Sequence, residues 1–166
     1  MARWTKFWIA GCNPILDYHR ANRYTFFMTR IGIDARLTHY RVGGTSTYIR
    51  YLLEALEKLD HDENYIIFHS RKAEGDLGVA YRHAPLWTPC HHRLERLALS
   101  LELARFNLDV FHSPDFIPPL RGARRHVITV HDLAFLIYPE ILTEDSRRYY
   151  NDQIKAATEH ADHILA

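Results

Sequence analysis

A chain of 166 residues, 47% of them hydrophobic and 25% charged, has the length and composition of one globular domain. Its formal net charge of +1 argues against a broad basic surface for nucleic acid, and no apolar run reaches the ~18 residues of a membrane-spanning helix. The two cysteines, Cys12 and Cys90, provide no disulfide framework, which fits a reducing compartment.

Residues 1–27 show no clear hydrophobic period, and Pro14 interrupts them. Ile9-Ala10-Gly11-Cys12 resembles a lipoprotein cleavage box behind Arg3 and Lys6. The apolar stretch before it is far shorter than the ~7–15 residues a signal needs, and it holds Trp4 and Trp8. Met28 stands just ahead of the first strand. Residues 1–27 are therefore expected to be an extension, either a loose tail or a mis-assigned start, and residues 28–166 the domain.

In the domain, Ile31, Ile33 and Ala35 alternate with Gly32, Asp34 and Arg36, the period of a strand. Thr38 to Gly44 read as a loop. Thr45 and Ser46 can then cap a helix in which Ile49, Leu52, Leu53, Leu56 and Leu59 form one apolar stripe. Asn64–His69 is a buried-strand run. Arg71–Gly78 is loop-like, with Gly75 and Gly78, and Val79–Trp87 holds another strand ended by Pro85 and Pro89. A second helix begins near Cys90, with Leu94, Leu97, Ala98, Leu101 and Ala104 as its apolar stripe. Leu108–His112 is a third clear strand. The loop that follows contains Pro114, Pro118, Pro119 and Gly122, with a basic end at Arg121, Arg124 and Arg125. Val127–Val130 is a β-branched strand. After a loop with Pro139 comes a polar helix, Glu144–Ala161, with Tyr149, Ile154 and Ala157 as its thin apolar side; Asp162–Ala166 starts one more strand.

Strands alternating with helices predict an α/β, doubly wound, mainly parallel sheet with helices on both faces, and apolar runs such as Val127–Val130 fit burial on both sides. A strand starting so close to the last residue has no successor beside it, so the chain is expected to be a fragment of a longer one.

Ligands of such sheets bind at the carboxyl ends of the strands. Three ends carry polar groups: the first leads to Gly43 and Gly44, the third ends in His112-Ser113-Pro114, and the fourth in His131-Asp132. Gly43-Gly44 before a helix allows close backbone approach to a phosphate; a plain turn gives the same spacing. Neither GxGxxG nor GxxxxGK[ST] is present, which removes the main support for dinucleotide and P-loop sites. His131-Asp132 could place an imidazole and a carboxylate at a sugar hydroxyl; a capping Asp beside a His bonded to backbone is the simpler alternative. His91-His92 and His160-x-x-His163 lack the spacing and third ligand of a metal site. The arginine cluster is a solvated face or, in a cleft-side loop, an attractor for an anionic acceptor or a membrane surface.

In order, IGIDARL, GGTSTYIRYLLEAL, LDVFHSPDFIPP, TVHDLAFLIYPE, a helix and ADHILA resemble the N-terminal half of retaining glycosyltransferases of the GT-B type, the family-four group. The resemblance spans Met28 to Ala166. It implies a Rossmann-like acceptor-side domain, incomplete at its end, that faces a C-terminal domain holding most of a nucleotide-sugar donor. By that resemblance Gly43 and Gly44, with Thr45, approach the donor phosphates and the acceptor. His131 hydrogen-bonds the transferred sugar near its reactive centre, and His112, Ser113 and Asp132 join the substrate-binding set. The implied partners are the donor and a saccharide or lipid-linked acceptor, with no metal or other cofactor and no nucleic acid. The implied location is cytoplasmic, with peripheral contact at the inner face of the membrane. Lacking the family's Glu-x7-Glu carboxylates and phosphate-binding basic residues, the chain is expected to be inactive alone. A non-catalytic module that binds an acceptor or a partner chain is the alternative.

Overall fold

The computed structural model describes residues 28–40, 43–59, 63–73, 77, 80–138, 140 and 143–166. The expectations for residues 1–27, Gly75, Gly78, Val79 and Pro139, and for the Tyr149 side chain, lie outside the described residues. The elements run β1 (Arg30–Asp34), α1 (Leu37–Tyr40), α2 (Gly44–Glu57), β2 (Asn64–Ser70), β3 (Arg82–Leu86), α3 (Glu95–Leu103, extended by a 3-10 turn over Ala104–Phe106), β4 (Leu108–Ser113), β5 (Ala123–Thr129), α4 (Ala134–Ile137), α5 (Glu144–His160) and β6 (His163–Leu165).

The six strands form one sheet in the order β3-β2-β1-β4-β5-β6, and every pairing is parallel. This is a Rossmann-like α/β architecture, as the alternation of elements predicts. Because strand side chains alternate between faces, Ile67 of β2 joins Ile33, Ala35, Ile49 and Leu53 on the α2 side. Its neighbours Ile66 and Phe68 join Leu86, Leu99, Leu103 and Phe111 on the α3 side. A third cluster seats Ile154 and Ala157 of α5 against Ile128, Phe116 and Phe135. Among the described residues, no helix is long and apolar enough to cross a membrane.

Three local expectations are corrected. The stripe expected for α3 is the wrong face: Leu94, Leu97 and Leu101 are 61%, 53% and 73% exposed, while Glu95, Leu99, Ser100 and Leu103 are buried. Two polar residues sit on the inner face because each has partners there. Glu95 pairs with Arg36, and Ser100 donates to the Arg96 carbonyl and accepts from the Arg121 amide. Secondly, Pro85 lies within β3 rather than ending it. β3 is an edge strand, and Leu86, whose carbonyl accepts from Arg71, faces β2. The adjacent Pro85 nitrogen therefore faces outward, where no ladder bond is lost. Thirdly, β5 starts at Ala123, which takes Arg124 and Arg125 into the strand at the end of the sheet opposite the carboxyl ends. There they pair with Asp109 and Asp162 at 3.2 and 2.6 Å. They are not in a cleft-side loop.

Gly32 marks the tightest point of the core. A Cβ there would meet ring carbons of Phe68 and Phe111 and a methyl of Leu108 at 2.7–2.9 Å. Gly32→Ala is therefore expected to lower unfolding free energy by about 1–3 kcal/mol through overpacking, read as a lower urea midpoint. Gly44→Ala, whose Cβ would meet nothing within 4 Å, should leave the midpoint unchanged.

Candidate functional site

The chain runs from β1 outward to β2 and β3, then crosses back to β4. Loops leaving β1 and β4 thus diverge at their carboxyl ends and open a crevice between them. A cleft of about 470 Å³ lies in that region.

Its foundation is a buried ion cluster. Arg36, fully buried, donates from Nε and Nη2 to the two Asp34 oxygens at 2.9 and 2.6 Å. It also donates from Nη2 to Glu95 Oε1 at 2.8 Å and from Nη1 to the Thr88 carbonyl at 2.8 Å. Burial alone would push the guanidinium down, but the Asp34 carboxylate outweighs it and holds Arg36 above its ordinary value. Burial raises the Glu95 carboxyl, and Arg36 opposes that rise. Burial also raises the nearby Cys90 thiol, which keeps it from ionising as a nucleophile. Glu95 reaches on to the His91 amide, and His91 Nε2 stands 2.9 Å from Asp115 Oδ2. One chain of charges thus ties the loops after β1, β3 and β4 together.

Upon that base, the structure brings Gly43, Gly44, Thr45, His131 and Asp132 to the wall of the same cleft. Gly43 is extended, and its amide donates to Ser46 Oγ at 3.1 Å. The amides of Gly44, Thr45 and Ser46 form the first turn of α2, whose N–H groups have no acceptor within the helix. Thr45 and Ser46 are therefore inside the helix rather than capping it, which corrects the expected start. An added Cβ on either glycine would enter open space, so the pair leaves bare backbone facing the cleft. His131 Nε2 lies 2.9 Å from the Pro114 carbonyl. A carbonyl only accepts, so Nε2 carries the proton, and in the neutral ring Nδ1 keeps the lone pair. The ring also stands edge-on to Tyr48 at 4.8 Å, one helical turn beyond Gly44. Asp132 Oδ1 accepts from the Ala134 amide at 3.0 Å, holding the turn into α4.

His112 and Ser113 are not brought to this cleft wall. Both are buried, because β4 lies between β1 and β5 and its last residues remain in the sheet. His112 Nε2 meets Thr129 Oγ1 at 2.9 Å; Ser113 Oγ has no hydrogen-bond partner among the described residues. Burial lowers the His112 imidazole to about 4, and burial followed by the neighbouring His160 lowers His126 to about 4. Sequence reasoning missed His91, Asp115, Phe116, Phe135 and Tyr150, which line the cleft too. Asp115 was within reach: it is the first polar residue after the true end of β4. Nothing in sequence signals His91, which enters through a left-handed turn (φ 59). Among the described residues, no group of three or more His, Cys, Asp or Glu is placed to hold a metal ion.

The family model described as Glycosyltransferase Family 4 matches residues 42–166. No curated relative and no solved structure matched the chain.

Two outcomes are expected. Arg36→Leu leaves Asp34 and Glu95 buried without their cation, so unfolding free energy should fall by about 3–5 kcal/mol; chemical denaturation checks this, and adding Glu95→Gln should recover part of the loss. The unfolded chain protonates its histidines near 6.5 whereas folded His112 does so near 4. Between those values the unfolded state binds more protons, so stability should be full above pH 6.5 and fall as pH drops towards 4, by up to about 3 kcal/mol for His112. Denaturation at several pH values reads the slope, and His112→Gln should flatten it.

Proposed function

The chain belongs to glycosyltransferase family 4, and from that premise we propose that its cleft is the acceptor-side half of a site that moves a sugar, with retention, from a nucleotide-sugar donor to a saccharide or lipid-linked acceptor. The observation that carries this reading is the shared cleft: bare glycine backbone at a helix N-terminus and an oriented imidazole line one cavity at the switch in strand order.

Each element has a physical role in such a transfer. Orphan amides at a helix start, with the positive end of its dipole, suit the phosphates of a nucleotide sugar. Glycine at positions 43 and 44 lets those phosphates come within contact of the main chain. His131, its Nε2 proton committed to Pro114, offers Nδ1 to a hydroxyl of the transferred sugar. Asp132 holds the loop that presents it. His112 and Ser113 enter this reading as the floor beneath the pocket. Charge on the departing nucleoside diphosphate needs several positioned donors, and the α2 amides are one part of that shell. By the family resemblance the remainder lies in a C-terminal domain, so this chain by itself binds rather than turns over.

Nuclear magnetic resonance of the whole chain with uridine diphosphate tests the phosphate role. Shifts at the Gly44, Thr45 and Ser46 amides are expected. Gly44→Ala should weaken binding by at least about tenfold with the melting temperature preserved. In a full-length enzyme carrying this domain, His131→Ala should cut turnover by about a hundredfold or more; unchanged turnover would remove His131 from the site. Sugar transfer by the isolated chain at full rate would overturn its reading as half a site.

A further inference from the structure

The cleft has a second polar pair, His91 and Asp115, which ties two loops together and which the reading of the donor side does not use. Both residues line the cleft, with side chains 22% and 21% exposed. Asp115 is firmly oriented: Oδ1 accepts from the Phe116 amide at 2.8 Å, and Oδ2 faces His91 Nε2 at 2.9 Å. That nitrogen carries the proton, because a carboxylate only accepts. A carboxylate has about four lone-pair sites, so two such bonds leave capacity for hydroxyl donors from the cleft.

The pair is held at some cost. His91 has φ 59, a left-handed conformation uncommon outside glycine, and its amide is fixed on Glu95, which Arg36 in turn anchors. Strain retained in this way clusters at binding sites. Beside the carboxylate stands an aromatic wall. Phe116 and Phe135, both buried, stack on each other at 5.4 Å and 16° and back the half-buried Tyr150, which tilts against both at 5.7 Å and meets His91 edge-on at 6.1 Å. Aromatic faces carry negative charge that attracts the C–H face of a sugar ring, while the ring's hydroxyls need acceptors at its edge. Among the described residues lining the cleft, Asp115 and Asp132 bring negative charge, and neither Lys nor Arg is present. A phosphate on a ring held at Asp115 would stand beside a like charge, which an uncharged ring avoids.

We propose that Asp115 is a specificity-determining residue for the acceptor, that His91 is its positioning residue, and that together with the Tyr150 ring they select an uncharged saccharide over a phosphorylated one. This rests on the acceptor-side reading of the cleft and names the substrate class.

The test titrates the whole chain with methyl α-glucoside, methyl α-mannoside and glucose 6-phosphate, following amide resonances. A methyl glycoside should shift the Phe116 amide and bind at least about tenfold more tightly than glucose 6-phosphate. Asp115→Asn should reduce that preference at least about tenfold; a loss equal for both sugars would mean a structural role and overturn the proposal. His91→Asn, with a side chain that tolerates the left-handed backbone, should weaken glycoside binding several-fold while the preference survives, since Asp115 keeps its charge. It stands as the second variant should Asp115→Asn fold poorly, and unaltered glycoside binding in it would remove His91 from the proposal. Glucose 6-phosphate binding as well as the glycosides to the unaltered chain would overturn the selectivity outright. If uridine diphosphate shifts the Gly44–Ser46 amides but no glycoside binds, this proposal fails and the donor-side reading stands; if neither probe binds, both fail.

Discussion

The geometry of the cleft depends on a single guanidinium in a place where charge is costly. Arg36 is wholly enclosed, yet each direction of its fork meets an acceptor: the carboxylate two residues before it, a second on α3, and a main-chain carbonyl after β3. A cation taken out of water is tolerable only when it is paired and fully hydrogen-bonded. These bonds come from the end of β1, from α3 and from the loop after β3, so the cation does more than stabilise. It fixes where the loops after β1 and β3 begin, and through Glu95, His91 and Asp115 it reaches the loop after β4.

From this base the cleft divides into two chemically different ends. The α2 end presents the N–H groups of a helix's first turn, bare backbone and an imidazole braced by Tyr48 and Pro114. The Asp115 end presents carboxylate oxygens and aromatic faces. Main-chain donors mark one side and carboxylate acceptors the other. The proposed transfer would use that division, with helix-start amides for a leaving phosphate and carboxylate oxygens for a hydroxyl acceptor.

How much of this could be read from residues alone follows from what each residue is paired with. The inner strands were legible because near-continuous apolar runs such as Asn64–His69 have one stable place, the middle of a sheet covered on both faces. Gly43, Gly44 and His131 could be picked out because each lies in a segment that leaves the carboxyl end of such a strand, with α1 standing between β1 and the glycines. The α3 face was misread because its inward side carries Glu95 and Ser100, and a hydrophobic pattern cannot register a glutamate whose arginine lies 59 positions away. Asp115 and His91 were missed for a related reason. Their meeting across 24 positions depends on a left-handed residue and on the ion cluster beneath, and neither leaves a periodic trace.

The two flanks of the sheet differ in what they can accept. On the β3 flank, Pro85 turns a nitrogen without a hydrogen outward, so an incoming strand would find a missing donor midway along its path. On the β6 flank, His163, Ile164 and Leu165 are all exposed and each keeps its amide hydrogen. The β3 margin is thus the one that carries a built-in obstacle to a further strand.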